Sequence, residues 1–264
     1  MPEKRVFPTI RDFPDSPLRR VTDGILNLIY PDSCFVCRSP VSRSRDCSVC
    51  FRCWNRILDL RISPPWCPSC GLPFFQSGTE PEHLCGDCNL ELPPYGGARA
   101  YGYYTSELSR LVQGLKFEGR KNLVELLTPL LANAFITTWD PAEIDHVMPV
   151  PLHPKRKRER GYNQAALLGR AFSKRLGLPF HEDALRRIRH TAPQVGLSDS
   201  ERRQNLTGAF RCGKTDAVAR QRILLIDDVM TTGATVAAAS QALIEAGALR
   251  VSVLTVARAV VGVE

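Results

Sequence analysis

No stretch of this chain is long and apolar enough to cross a membrane. The longest uncharged, apolar-leaning run, Leu126 to Trp139, is broken by Pro129 and Asn133 and falls short of the roughly 20 residues a bilayer requires. Nor does an apolar core follow the early cations Lys4 and Arg5, because Pro2, Pro8, Asp12, Pro14 and Asp15 crowd that segment; no secretory leader is expected. No GxGxxG occurs, which excludes the dinucleotide-binding fingerprint, and no phosphate loop of the GxxxxGK[ST] kind is expected to compete with the turn described below. Internal repeats are absent beyond a recurring CxxC unit. The expectation is a cytoplasmic protein without membrane insertion, and in that reducing compartment its ten cysteines are free thiols or metal ligands rather than disulfides.

What is present divides the chain. Nine of the ten cysteines fall between Cys34 and Cys88, in a region dense in Pro, Ser and Arg. From about Tyr95 onward the character changes. Ser106 to Phe117 carries Leu108, Leu111, Val112 and Leu115 on one helical face, and Leu123 to Phe135 is a second helix candidate. A strand-like run, Asp145 to Pro151, precedes a helix candidate from Asn163 to Leu176 that Gly177 stops. The final third reads as strand (Arg222 to Asp228), turn, alanine-rich helix (Thr235 to Ala246) and strand (Arg250 to Arg258). Apolarity that is continuous rather than alternating marks strands covered on both faces, as in a parallel sheet. The expected organisation is a leader with a short helix (1–33), a small cysteine module (34–92) and an α/β domain (93–264). A formal net charge of +8 and a pI near 9.1 favour anionic partners such as nucleic acid or phosphorylated small molecules.

The cysteines occur as Cys34/Cys37, then Cys47, Cys50 and Cys53, then Cys67/Cys70 and Cys85/Cys88. A CxxC turn aims two thiolates at one point, and two such turns supply the four soft ligands of a tetrahedral structural zinc. The simplest pairing places Cys34, Cys37, Cys50 and Cys53 on one ion and Cys67, Cys70, Cys85 and Cys88 on another. Cys47 with Cys50 satisfies the same spacing, interleaved pairings remain open, and iron–sulfur ligation would use the same thiols. So small a module has little apolar surface of its own, so bound metal is expected to stabilise it. Trp54, Trp66, Phe74 and Phe75 lie among Arg43, Arg45, Arg52, Arg56 and Arg61. That composition suits stacking and phosphate contacts along single-stranded DNA, and equally suits plain packing of the module.

The stretch RILLIDDVMTTGATV, Arg222 to Val236, ends an apolar strand with two carboxylates and then turns into a helix. Parallel sheets present ligands at the C-terminal ends of their strands. Backbone N–H groups of the turn, the hydroxyls of Thr231, Thr232 and Thr235, and the helix dipole form a nest for phosphate; Gly233 and Ala234 let the chain approach it closely. Asp227 and Asp228 cannot themselves hold a phosphate. They suit the hydroxyls of a sugar, or a divalent metal bound with one. Together these residues describe a ribose 5-phosphate site; the plainer alternative makes the aspartates turn formers and Thr231 or Thr232 a helix cap.

This segment resembles the phosphoribosyl pyrophosphate (PRPP) signature of type I phosphoribosyltransferases. VPLHPKRKRERGYNQA (Val150 to Ala165), RIRHTAPQVGLSDSERRQN (Arg187 to Asn205) and the CxxC array further resemble the ComF family of competence and DNA-utilisation proteins, from Tyr30 to Ala259. The resemblance implies a double zinc ribbon on a phosphoribosyltransferase-type parallel sheet flanked by helices, which binds PRPP with Mg²⁺. It implies that Asp227 and Asp228 hold the ribose hydroxyls, that Thr231 to Thr235 hold the 5-phosphate, and that Leu152 to Arg158 wrap the pyrophosphate, with Arg156 and Arg160 at the matching positions. Arg187, Arg189, Thr191, Gln194, Arg202 and Asn205 match in a segment that would close over the ligand as a lid, and Lys116 matches as a phosphate contact or a helix-end cation. Single-stranded DNA and proteins of DNA uptake or recombination are the partners the family suggests. No residue stands out as a base for an acceptor, so the enzyme reading stands beside a non-catalytic role in transformation in which PRPP only regulates.

Overall fold

The computed structural model describes residues 33–41, 49–74, 83–189, 206–213, 217–260 and 262. By compactness the chain forms two units, Met1–Cys50 and Phe51–Glu264. In the first, Ser33 and Pro40 pair across a tight knuckle in which the Cys34 N–H donates to the Ser39 carbonyl (2.8 Å) and the Arg38 N–H to the Cys34 carbonyl (2.9 Å). The leader, except Ser33, and Cys47 lie outside the described residues.

The second unit opens with α1 (Phe51–Asp59) and repeats the knuckle: Trp66 pairs with Pro73, the Cys67 N–H donates to the Leu72 carbonyl and the Gly71 N–H to the Cys67 carbonyl, both at 2.8 Å. A one-turn helix, α2 (Gly86–Leu90), carries Cys88. The sheet follows. β1 (Gly97–Tyr103), β2 (His146–Pro149), β5 (Arg222–Met230) and β6 (Arg250–Arg258) form four parallel strands in the order β1-β6-β5-β2. The expected parallel α/β class with a cysteine-rich module before it is what the chain adopts. β5 and β6 occupy the centre and are buried along nearly their whole length, which is why their sequences read as unbroken apolar runs. Both edges are covered: residues 60–62 pair beside β1 through Ile62 N–H to Tyr101 O (2.9 Å), and residues 179–181 beside β2 through His181 N–H to Val147 O (3.0 Å). Covered edges leave no open template for strand addition.

Helices α3 (Ser106–Phe117), α4 (Leu123–Ile136), α5 (Pro154–Arg160), α6 (Gln164–Leu176) and α7 (Ala234–Glu245) connect the strands. α6 starts where expected, because the Asn163 side chain accepts the Ala165 N–H, and stops at Gly177 in the left-handed conformation. Phe135 of α4 meets Phe172 of α6 edge to face at 5.3 Å. A short antiparallel pair, β3 (Leu185–Arg187) and β4 (Phe210–Cys212), packs on α7, and Cys212 lies half-buried there. Two sequence expectations differ from the structure. The basic run, expected to wrap a pyrophosphate from Leu152 to Arg158, is a helix over Pro154–Arg160: Pro154 fixes the first helical residue, His153 Nδ1 accepts the Lys155 N–H, and Gly161 (φ 80°) ends the helix. And β5 continues past the two aspartates to Met230, held by its register with β6 as far as Arg258. Among the described residues no helix is long and apolar enough to cross a membrane.

The two knuckles place a left-handed residue four positions after the first cysteine: Arg38 (φ 65°) in one and Gly71 (φ 71°) in the other. At Gly71 a Cβ would sit 2.2 Å from the Ala98 carbonyl of β1. Gly71→Ala is therefore expected to destabilise the second unit by on the order of 3 kcal/mol, from backbone strain plus overpacking, whereas Arg38→Gly should be neutral or slightly stabilising. Thermal melts of the zinc-loaded variants check this; equal melting for Gly71→Ala and wild type would refute it.

Candidate ligand cavity and cysteine sites

At the C-terminal end of the sheet an open cavity of about 760 Å³ is lined by Lys116, Arg156, Arg160, Arg187, Asp227, Asp228, Thr231 and Thr235. Four elements deliver the charges, β3 among them through Arg187. β5 brings the two carboxylates, α3 brings Lys116 in its last turn, and α5 brings its arginines. Within α5 only Arg156 and Arg160 are half-buried, while Lys155, Lys157, Arg158 and Glu159 are exposed. The i, i+4 spacing puts that pair on one face, so the helix turns two of its five cations inward and leaves three in solvent.

The floor is electrostatically unbalanced. Asp227 and Asp228 are buried, and among the described residues one ammonium, Lys116 Nζ, reaches Asp228 Oδ1 at 2.9 Å. Asp228 Oδ2 is buried with no hydrogen-bond partner. Burial first, and the neighbouring Asp228 second, push the Asp227 carboxyl up to about 8 despite the opposing pull of Lys116. Burial works against the Lys116 charge, but attraction to Asp228 and Asp227 outweighs it and the net shift is upward. Arg187, held down by burial and then by repulsion from Arg156, is partly offset by Asp227. Two carboxylates, one ammonium and an unused oxygen suit a divalent cation or a vicinal diol.

The turn after β5 is built for a small group to approach. Gly233 caps α7 in the left-handed conformation (φ 82°). The Ala234 N–H donates to Thr232 Oγ1 at 3.4 Å, a long cap-type bond that agrees with the plainer role of Thr232 at the helix start. Thr231 and Thr232 are exposed, and Thr235 is half-buried.

Several residues escaped the sequence reading. Tyr104, Tyr162 and Phe117 also line the cavity; Phe117 is 72% exposed, with the Arg160 guanidinium 5.2 Å from its ring. The segment Gly208 to Thr215 formally matches GxxxxGK[ST]. Its middle forms strand β4, antiparallel to β3; Lys214 and Thr215 lie outside the described residues. Of the expected lid, Arg187 lines the cavity and Arg189 donates to the Thr207 carbonyl (2.7 Å). Thr191, Gln194, Arg202 and Asn205 lie outside the described residues.

The thiols fit zinc. In the first unit Cys37 Sγ and Cys50 Sγ are 3.6 Å apart and the Cys50 N–H points to Cys34 Sγ (3.3 Å); Cys53 follows Cys50 by the CxxC spacing and is buried in α1. In the second unit the sulfurs of Cys67, Cys70, Cys85 and Cys88 all lie within 4.8 Å of one another, with Cys70 and Cys85 at 3.6 Å. A tetrahedral ion with Zn–S bonds of about 2.3 Å needs sulfurs about 3.8 Å apart. Two of the module's aromatics are engaged: the Arg99 guanidinium stacks on Trp66 at 5.1 Å, and Phe74 stacks on His83 at 4.0 Å. Phe75, Arg43 and Arg45 lie outside the described residues.

A family model for a double zinc ribbon domain matches residues 25–95, consistent with two structural zinc ions on the two four-cysteine sets. The chain is 34% identical over 236 residues to the DNA utilization protein YhgH of Salmonella typhimurium, covering 88% of this chain and 99% of that protein. It is 32% identical over 232 residues to competence protein F of Haemophilus influenzae (86% and 96%) and 27% identical over 220 residues to competence protein ComFC of Bacillus subtilis (81% and 85%). Among solved structures, the glutamine PRPP amidotransferase of B. subtilis complexed with ADP and GMP aligns at 20% identity over 50% of this chain and 25% of its own, with a TM-score of 0.34.

The raised Asp227 value has a consequence for stability. Unfolded, this carboxyl titrates near 3.8; folded, near 8. With the folded value the higher, its contribution is complete below the unfolded value and is lost as pH rises toward 8. Asp227→Asn is therefore expected to stabilise the ligand-free protein by on the order of 2 kcal/mol at about pH 9 and by much less at about pH 4. Urea denaturation at the two pH values checks this, and an equal effect at both would contradict it.

Proposed function

Because this chain belongs to the ComF family of competence and DNA-utilisation proteins, matching its relatives along nearly their whole length, we propose that its cavity binds PRPP and that the protein acts as a phosphoribosyltransferase-like component of DNA uptake or use. The observation that carries this reading is the pair of buried carboxylates at Asp227 and Asp228, with Asp228 Oδ2 unpartnered, facing a cavity shared with Arg156, Arg160 and Arg187. A ligand that satisfies both ends must offer hydroxyls to the carboxylates and anionic oxygens to the guanidiniums. PRPP has that polarity: a 2,3-diol, a 5-phosphate and a pyrophosphate on C1.

In this reading Asp227 and Asp228 accept hydrogen bonds from the ribose hydroxyls and fix the ring. The turn from Thr231 to Thr235 presents N–H groups and hydroxyls to the 5-phosphate at the start of α7. Arg156 and Arg160 grip the pyrophosphate, where guanidinium forks match paired phosphate oxygens, and with Arg187 they stabilise the charge that collects as the bond between C1 and the pyrophosphate oxygen breaks. Magnesium, when bound with PRPP, would neutralise the leaving group; the buried Asp228 Oδ2, which has no hydrogen-bond partner, suits such an ion. Lys116 screens Asp228 before a ligand arrives. The acceptor that bonds to C1 is not specified by these groups.

A second reading rests on the outer face of α5, where Lys155, Lys157 and Arg158 stand exposed, with Lys157 Nζ 3.5 Å from Glu182 Oε1. Three exposed cations beside the site suit the backbone of single-stranded DNA, with PRPP as a regulator. Charge reversal of these three should then flatten the salt dependence of DNA binding by about three phosphate contacts, measured by fluorescence anisotropy over a salt series; an unchanged slope would remove the reading.

Calorimetric titration of the zinc-loaded protein with PRPP and Mg²⁺ tests the main proposal. Saturable binding is expected, abolished by joint substitution Asp227→Ala and Asp228→Ala. Arg156→Ala and Arg160→Ala should each weaken PRPP by about 10- to 100-fold while leaving ribose 5-phosphate nearly unaffected. No heat with the intact protein would sink the proposal.

A further inference from the structure

The second cysteine set is not a free-standing ribbon. Cys67, Cys70, Cys85 and Cys88 are buried in one apolar cluster with Tyr95, Met230, Ala234 and Val236, so the sulfurs share a core with the end of β5 and the start of α7. Zinc with four thiolates carries a net charge near −2, and burying it is costly unless cations stand close. Arg258, the last residue of β6 and only 7% exposed, is one such cation. Its Nη2 lies 3.7 Å from Cys70 Sγ, its Nη1 donates to the Cys70 carbonyl at 2.6 Å, and the same Nη1 reaches Met230 Sδ at 3.2 Å. Arg99, stacked on Trp66, supplies a second positive charge toward Cys67 and Cys70.

The contacts continue to the ligand turn. Met230 immediately precedes Thr231, and its methyl group comes within 2.8 Å of where a Cβ on Gly233 would stand; the Tyr95 hydroxyl is 3.5 Å from the same point. Met230 and Tyr95 are thus the floor under Gly233. The Arg258 carbonyl accepts the N–H of Tyr104, a wall of the cavity, at 2.8 Å, and the Met230 carbonyl accepts the Ala259 N–H at 2.9 Å. One residue therefore ties the Cys70 knuckle, the residue beneath the turn and the cavity wall together.

We propose that Arg258 is a positioning residue that couples the zinc held by Cys67, Cys70, Cys85 and Cys88 to the sugar-phosphate turn, so that zinc and PRPP strengthen each other's binding. The coupling rests on the PRPP reading of the cavity. With the metal in place, the Cys70 carbonyl and thiolate hold the guanidinium, which holds Met230 under Gly233. When the metal leaves, the knuckle no longer fixes Cys70, the guanidinium is released, and the turn loses its floor. The energetic link is reciprocal, because two ligands that favour one arrangement must favour each other equally.

The test uses zinc-loaded full-length protein and a chromogenic chelator, with zinc release followed with and without PRPP and Mg²⁺, beside PRPP calorimetry. The protein carrying Asp227→Ala and Asp228→Ala controls for any effect of PRPP on the chelator. About one of the two zinc ions should leave roughly tenfold more slowly with PRPP, and protein stripped of that ion should bind PRPP about tenfold more weakly. Arg258→Met should abolish the effect of PRPP on zinc release, and Arg258→Lys, which keeps the charge and a donor, should restore part of it. Should Arg258→Met fail to fold, the wild-type linkage and Arg258→Lys still decide. PRPP that binds with normal heat but leaves zinc release unchanged overturns the coupling alone; absence of PRPP binding to wild type overturns the cavity reading and the coupling with it.

Discussion

Two adjacent carboxylates buried with one ammonium between them set the terms for the rest of the domain. Asp227 and Asp228 sit on a central strand whose other residues are almost all apolar and covered on both faces. Burial strips away much of the water that would ordinarily screen them, and that burial first, with the neighbouring Asp228 second, pushes the Asp227 carboxyl upward. Such a site works against folding and toward binding. A natural protein that keeps it carries a local destabilisation that a ligand relieves, and the rigid central strands keep the two carboxylates from relaxing apart. Lys116 is the partial remedy. It comes from the end of a helix whose Leu108, Leu111, Val112 and Leu115 are buried in the core, so its ammonium reaches Asp228 from a fixed base.

The charges opposite follow from that floor. A negative floor calls for a positive wall only if the ligand is itself polarised, with hydroxyls at one end and anions at the other. α5 makes such a wall by its period: positions 156 and 160 face inward together, while positions 155, 157 and 158 face solvent. Gly161 halts the helix in the left-handed conformation directly after Arg160, and Asn163 then caps α6 while its side-chain amide donates to the Val150 carbonyl at 3.0 Å. The strand before α5 and the helix after it are thereby joined on the far side of the arginines, which keeps the seven-residue helix from drifting off the cavity.

Local chemistry was legible in the sequence and distant pairing was not. The helix Ser106–Phe117 came out with the expected bounds, because its 3.6-residue apolar period is written within a dozen positions. The cysteine sets came out likewise, since CxxC brings its own thiols together whatever the fold. Asp227 and Asp228 were visible as the wrong residue type at the end of an apolar strand. The Lys116–Asp228 ion pair was hidden, being made by elements far apart in the chain; a lysine in the last turn of a helix already has a sufficient local reason in the helix dipole. The helicity of the basic run was missed because a cluster of like charges reads as solvated loop, although Pro154 ahead of it and Gly161 behind it are the punctuation of a short helix. Arg258 carried the same signal as the aspartates, a charge closing an apolar strand, but what a buried guanidinium is for depends on a knuckle nearly two hundred residues earlier.

The paired knuckles show how far context decides what a motif permits. Both close with the same two hydrogen bonds and both need a left-handed residue at the same place. Arg38 fills it in one, at a modest conformational penalty, because a side chain there meets no neighbour that forbids it. In the other only glycine serves, since the Ala98 carbonyl occupies the space a side chain would need. The second knuckle has therefore been pressed against the first strand of the sheet, and its sulfurs have become part of the domain's core rather than of an appended ribbon. A metal site so placed cannot be only a staple for a small module. Its charge must be answered by arginines drawn from the sheet, and those arginines then answer to the metal, so the geometry at the end of the sheet depends on an ion outside the cavity it shapes.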